Sequence, residues 1–379
     1  VRDSQDRFNF ISCLDKKSIP DIKTFLRHHY GPHFYGANDD YFDWQYLQNP
    51  CVWFKSQLAE GKISVNAAVD RNTGIIGSVH VFVPFDAWIS SRPIRGVWDT
   101  EWINGSGQRG LGRELAQTLI SQCDVYAGFG SNEAAISAFS MLGLQNYDQI
   151  HRRVAVLDRQ ALADEMSTAG FGDEAAALPT QACGPAGGYC TLPGTAAIPD
   201  HVLAREIEQT NFGVVRSPAW LNWRFDRHPF ITYHVITADS VGADGAAIAR
   251  LEAVIDTDRV ACRIIEFYAM PGREAALLHA VTAFAADHRA LIVDYFSASR
   301  SRMINFDETT DCLTAGFSAN PRLVPYMFQP VDLNGRNAMN LVLGMPGSGC
   351  NEAALEDFHA TKGDADQDIK RTIENAPAF

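Results

Sequence analysis

Gly107-Gln108-Arg109-Gly110-Leu111-Gly112-Arg113-Glu114-Leu115 is a glycine-rich turn that runs straight into an apolar helical face, because Leu111, Leu115 and Leu119 recur at helical spacing. Upstream, Ile94-Arg95-Gly96-Val97-Trp98-Asp99-Thr100-Glu101-Trp102 reads as a strand carrying two carboxylates. A strand, a turn of nearly bare backbone and a helix N-terminus make a cradle for phosphate. First-turn N–H groups have no intrahelical partners, and glycine permits φ > 0. The competing reading is an ordinary glycine-rich loop before a surface helix; the rest of the chain weakens it.

The chain has 379 residues, which predicts two domains. A hydrophobic share of 46% is ample for two cores. Lys+Arg of 32 against Asp+Glu of 45 gives a net charge of −13, which disfavours nucleic acid or an anionic membrane as partner. A local patch of arginine and backbone N–H groups can still bind a small anion. No apolar run approaches the roughly 18 residues of a membrane span. Val1–Asp6 has no apolar signal core, so a cytoplasmic location is expected. The 8 cysteines are scattered without CxxC or zinc-finger spacing, and only Cys183 and Cys190 lie near one another. Free thiols and no metal are expected.

Residues 161–210 are rich in alanine, glycine and proline around 175–189, which predicts a linker. The flanks resemble each other. Trp44-Gln45-Tyr46 is followed by Pro50, and Trp223-Arg224-Phe225 by Pro229. Each is followed by strand-like alternation: Ile63–Val69 and Ile75–Val83 in the first flank, Ile231–Ile236 and Ala247–Ile255 in the second. Arg263-Ile264-Ile265-Glu266-Phe267 then stands where the first half has its carboxylate-bearing strand, followed by a helix over 272–287 and a strand over 291–296. The expectation is two copies of one α+β unit, at 1–160 and 211–348, with a solvated acidic tail at 349–379. The second copy has only Met270-Pro271-Gly272-Arg273 at the key loop, a poorer phosphate cradle.

On these residues the first half resembles the GCN5-related N-acetyltransferase (GNAT) superfamily, and the whole chain resembles a tandem form with a degenerate second copy. Arg109-Gly110-Leu111-Gly112 is similar to the end of the family's pyrophosphate loop. Asn132-Glu133-Ala134-Ala135, with Phe139 and Leu142-Gly143-Leu144 after it, is similar to the later Asn-x-x-Ala segment. The resemblance implies an α+β fold in α/β/α layers, each copy a mixed, twisted sheet, with the first copy's sheet splaying open to admit acetyl-CoA or another acyl-CoA. It implies direct acyl transfer to a primary amine. The pyrophosphate would sit on Gln108, Arg109, Gly110, Leu111, Gly112 and Arg113, and the pantetheine along the strand at Trp102 and Ile103, with Asn132 nearby. Two positions depart from the family pattern: Gly107 stands where Gln or Arg opens the loop motif, and Phe139 where many members carry a tyrosine acid.

The chemistry needs an amine deprotonated, a carbonyl polarised and a pyrophosphate held. Asp99 and Glu101 are two apart on a strand, so they are expected on one face. There, mutual repulsion and burial would raise a pKa toward neutrality. Glu101 is favoured as base, with Asp99 as the alternative or as the group that orients the ammonium. Tyr147 is a candidate acid in place of Phe139, and a backbone N–H near Trp102 or Ile103 the thioester-oxygen donor. His29 and Tyr30 are candidates for substrate recognition, whereas His80, amid apolar alternation, reads as a satisfied core histidine. Trp44, Tyr46, Trp223 and Phe225 read as packing.

The acceptor is expected to be a small-molecule amine such as an amino sugar or amino acid. A non-catalytic acyl-CoA-binding scaffold and an aminoacyl or peptidyl transferase are the alternatives. Monomer and homodimer both stay open.

Overall fold

The structure, a computed structural model, describes residues 7–90, 92–105, 107–147, 150–168, 170–176, 178, 187–209, 212–254, 258–299, 303, 306, 317–319, 340–345, 357–361, 363 and 364. Their strands are, in the first half, β1 (Phe8–Ile11), β2 (Val65–Asp70), β3 (Ile76–Ile89), β4 (Arg92–Asn104), β5 (Val125–Phe129), β6 (Gln145–Tyr147) and β7 (His151–Val156). There follow β8 (Cys190–Leu192), β9 (Phe212–Val214), β10 (His234–Thr237), β11 (Gly245–Ala253), β12 (Val260–Ala269), β13 (Ala290–Ser297), β14 (Phe317–Ala319) and β15 (Leu341–Gly344). The helices are α1 (Ile19–Tyr30), α2 (Asp39–Phe42), α3 (Lys55–Ala59), α4 (Leu111–Ile120), α5 (Glu133–Met141), α6 (Arg159–Thr168), α7 (Gly172–Ala176), α8 (Asp200–Gln209), α9 (Pro218–Leu221) and α10 (Glu274–Asp287).

Two mixed sheets result. The first runs β1-β2-β3-β4-β5-β15-β6, with β9 added along the end of β3; the second runs β14-β7-β13-β12-β11-β10-β8. In each, one parallel pair sits in the middle, β4 with β5 and β12 with β13. Apart from β9 the two sheets share one strand pattern, which is consistent with the duplication expected from the sequence, and the likeness extends to a bulge. Between β3 and β4, Val81 faces Glu101 and Phe82 faces Asp99, so Thr100 is the extra residue. Between β11 and β12, Ile248 faces Glu266 and Ala249 faces Ile264, so Ile265 is the extra residue.

The sheets do not divide where the copies do. The first copy's last strand, β7, pairs with β13 in the second sheet, and the second copy's last strand, β15, inserts between β5 and β6 in the first. Each half thus lends the other a strand.

The Trp motifs meet at the centre. Each lies on a single turn of π-helix, Asp43–Leu47 and Asn222–Asp226. Each indole N–H donates to the other's backbone carbonyl, at 2.7 Å from Trp44 and 2.8 Å from Trp223, and the rings stack 5.1 Å apart. With Tyr46 and Phe225 they belong to one apolar core that draws on both sheets, which matches the packing role expected for all four.

Two expectations are corrected. Residues 161–210 do not read as a bare linker: Leu162 and Met166 of α6, with Ala175 and Leu178, pack on Val154, Val156 and Ile292 of the second sheet, and β8 extends that sheet's edge. The i, i+4 pair Leu162/Met166 carried the signal, outweighed by the alanine and glycine composition around it. The core of the alanine-, glycine- and proline-rich stretch, 179–186, lies outside the described residues. The tail was expected to be solvated, yet Phe358, His359, Ala360, Thr361 and Asp364 are buried. His359 bridges to β9, and Phe358 packs on Phe85, Trp98 and Phe212. The rest of 349–379 lies outside the described residues.

Candidate active site

The first sheet opens where the sequence placed its carboxylates. The parallel ladder of β4 and β5 ends at the pair Asp99–Gly128, while β4 continues to Asn104. Beyond that rung the two strands part. Gly107 (φ +68°) and Gly110 (φ +95°) adopt left-handed conformations in the loop after β4, and Gly110 is the N-cap of α4. Leu111, Leu115 and Leu119 are buried, at about 1.5–3 kcal/mol each for full burial, and hold the helix N-terminus at the mouth of the opening. Gly112 has a steric reason to be glycine, since a Cβ there would lie 2.7 Å from the indole nitrogen of Trp102. Arg109 and Arg113 are exposed beside the loop, and the carbonyl of Gln108 accepts a bond from the Asn104 side chain at 2.8 Å. The N-terminus of a 10-residue helix, three glycines and two exposed guanidiniums suit an anion.

The bulge at Thr100 overturns the expected single carboxylate face. It inserts one residue between the rungs of Asp99 and Glu101, and a one-residue shift turns a side chain to the other side of a sheet. Asp99 points toward α4 and α5, where its Oδ1 lies 2.8 Å from Nε2 of the fully buried His80. Tyr126 Oη is 3.4 Å from the same nitrogen, and Trp102 stacks on the imidazole. Burial, with the nearby Asp99 carboxylate, pushes the Tyr126 phenol well above its ordinary value. Glu101 points to the opposite face, where the Tyr35 hydroxyl donates to its Oε1 at 3.2 Å. The two carboxylates therefore do not share one face of the strand. His80 is a core histidine, as read, but one bound to a site carboxylate. Its alternation along β3 hinted at that; the partner's face depended on the bulge.

The other candidates are more dispersed. Phe139 is buried against Trp102 and Tyr126, at ring separations of 4.9 and 5.3 Å. Tyr147 lies on β6, separated from β4 by β5 and β15, and its hydroxyl donates to Gln145 at 2.8 Å. Asn132 is the N-cap of α5, its side-chain oxygen accepting from Ala135 N at 2.9 Å. Ile103 packs against the central core. His29 lines a cavity of about 660 Å³ with His28, Asp21 and Gly105, at the start of the glycine loop. Partial burial, then the neighbouring His28, lowers its pKa. Tyr30 is exposed and stacks on Phe34. Tyr35 was missed: its signal was an aromatic run, Phe34-Tyr35, with no spacing to tie it to Glu101.

The second sheet has the same opening, and it is filled. The β12–β13 ladder ends at Ile264–Tyr295. Ala298 N donates to the carbonyl of Ala360 at 2.9 Å, and the Thr361 hydroxyl donates to Glu266 Oε1 at 2.8 Å. A Cβ on Gly363 would lie 2.8 Å from Ile265. Arg216 bridges Glu266 at 3.0 Å and Asp364 at 2.6 Å. Burial pushes the Glu266 carboxyl up to about 7 despite Arg216, because two buried carboxylates share that one guanidinium. By register Glu266 is the counterpart of Glu101. Glu266 is clamped under the tail, whereas Glu101 accepts a hydrogen bond from the Tyr35 phenol.

Among the described residues no group of His, Cys, Asp and Glu could hold a metal, and no helix is long and apolar enough to cross a membrane. No protein-family model and no curated protein matches the sequence. Solved structures do. A GCN5-related N-acetyltransferase from Anabaena variabilis superposes with a TM-score of 0.51 at 10% identity, over 89% of this chain and 73% of that one. Saccharomyces cerevisiae N-myristoyltransferase with bound myristoyl-CoA and inhibitors gives 0.48 at 12% identity, over 89% and 80%. A GCN5-related N-acetyltransferase from Kribbella flavida gives 0.47 at 12%, over 76% of this chain and 64% of that one, so this chain spans less than two thirds of its length.

Proposed function

We propose that this chain, which has a mixed α+β fold of tandem GNAT type, is an acyl-CoA-dependent N-acyltransferase with one working site, in the first sheet. The observation that carries the reading is the asymmetry of the two openings. The one after Asp99–Gly128 leads to a glycine loop and a helix N-terminus, while the one after Ile264–Tyr295 holds Ala360, Thr361 and Gly363. Acyl-CoA would enter the first, its pyrophosphate on Gln108–Arg113 and its pantetheine along Trp102 and Ile103. The acceptor is a primary amine of a small molecule such as an amino sugar or amino acid.

Glu101 is the base. The amine nitrogen attacks the thioester carbon while Glu101 takes its proton; the C–S bond breaks with its electron pair on sulfur, and the thiolate is protonated from solvent. A backbone N–H of β4 beyond Asp99 is suited to the carbonyl oxygen, because there β4 no longer pairs with β5. Asp99, on the opposite face and tied to His80, shapes the cofactor side; Tyr147 is too far along the sheet to lead as acid. Incubation with acetyl-CoA and a panel of amines, read by free thiol release and product mass, tests the proposal. Thiol release that depends on both the amine and Glu101 is expected.

Phe139 favours a second reading, a binding protein that has kept the fold without catalysis, since a phenyl ring cannot protonate a thiolate. Tight acyl-CoA binding with no product on any amine would select it.

A further inference from the structure

Only three residues separate β6 from β7, a link short enough for the local hairpin that would keep both strands in the first sheet. The chain forgoes that hairpin and sends β7 to the second sheet. The two sheets differ at matching positions beside these strands. Taking the bulge residues Thr100 and Ile265 as equivalent, Trp98 corresponds to Arg263. The next rungs then match Ala127 with Asp294, Phe129 with Phe296 and Leu341 with Arg152. One set is wholly apolar. The other is a buried ionic cluster on a phenylalanine.

Arg152 Nη2 and Nε lie 2.6 and 3.1 Å from Asp294 Oδ2, and Arg263 Nε lies 3.1 Å from Oδ1. The two guanidiniums lie 5.0 and 5.4 Å from the Phe296 ring. All three charged residues are at most 2% exposed. Arg263 also approaches Glu252 at 3.4 Å, and Glu252 pairs with Arg250 at 2.8 Å, so the cluster crosses four strands.

We propose that Arg152, Asp294 and Arg263 form a selector that assigns each copy's last strand to the other copy's sheet. If β7 stayed in the first sheet, Arg152 would lie against Trp98, Ala127 and Phe129, with alanine in place of the Asp294 carboxylate. If β15 stayed in the second, Leu341 would stand where Asp294 receives its two bonds from Arg152. A buried ion pair adds little stability over an apolar set, but a buried charge stripped of its partner is strongly penalised. The cluster therefore acts against the unexchanged arrangement more than for the exchanged one.

Cross-strand disulfides report the choice. Tyr295→Cys with Arg153→Cys joins facing residues of β13 and β7 in the structure. Tyr295→Cys with Val342→Cys joins residues that face each other only if β15 takes the place of β7. Both pairs are placed in the full chain, oxidised mildly at high dilution and read by peptide mapping. With the native cluster, only the 153–295 link is expected. With Arg152→Leu/Asp294→Ala/Arg263→Leu, the 342–295 link is expected to rise at least about tenfold over the native background. A milder pair keeps the test decisive if that variant does not fold. Arg152→Leu should raise the 342–295 link, and Arg152→Lys, which keeps the charge, should not. An unchanged preference for 153–295 in the charge-free or Arg152→Leu chain would overturn the proposal and leave the connecting segments as the cause.

Discussion

Leu343→Ala probes the dependence of the first site on the end of the chain. Leu343 is fully buried in the first sheet, opposite Ala127 on β5 and Gln145 on β6, and it joins the core shared by both sheets. Truncating such a leucine removes transfer free energy and leaves a cavity, a loss of about 2–5 kcal/mol. Against a total stability of about 5–15 kcal/mol, that is a large fraction. A second effect follows from position. β15 backs β5, and Asn340 just before it accepts from Ser131 N at 2.9 Å and donates to Ser131 O at 2.8 Å. The wall of the opening therefore loosens with the strand. Denaturant unfolding followed by two probes, with and without acyl-CoA, is the assay. The variant should lose about 2–5 kcal/mol and bind acyl-CoA more weakly, although no loop residue has changed. A loss below about 1 kcal/mol would refute the reasoning, as would native acyl-CoA affinity in an isolated 1–160 fragment.

Glu101→Gln keeps the side chain's shape and removes its basicity; turnover should fall about 10²–10⁴-fold with acyl-CoA affinity nearly constant, and an unchanged pH–rate profile would move the role elsewhere. Gly112→Val sets a branched side chain against the Trp102 indole, so acyl-CoA binding by calorimetry should be lost, whereas a substitution at exposed Gln117 should leave it intact. Glu266, at about 7 in the folded chain against an ordinary 4.5, binds its proton more tightly folded than unfolded. Its contribution is full below pH 4.5 and is lost as pH rises through about 7, so Glu266→Gln should flatten the stability profile across that window. A slope unchanged by the substitution would assign the titration to another group.

Local features were legible in the chain as written. The 3.6-residue recurrence of Leu111, Leu115 and Leu119 specifies a helix, and Gly107 and Gly110 take the left-handed conformations that glycine allows. The repeated Trp-x-aromatic pattern marked two copies of one unit, because both tryptophans occupy the same place in the same local turn. What the sequence could not decide depends on contacts between distant segments. A bulge is a property of two paired strands, so the faces of Asp99 and Glu101 became defined only when β3 paired with β4. Strand exchange turns on whether Arg152 finds a carboxylate, and Asp294 is 142 residues away. The tail's aspartate read as solvated because the guanidinium that buries it, Arg216, lies 148 residues earlier. Periodicity and glycine act through neighbouring peptide units and can be read one segment at a time; charge pairing and sheet register act through space, and only the folded chain brings their partners together.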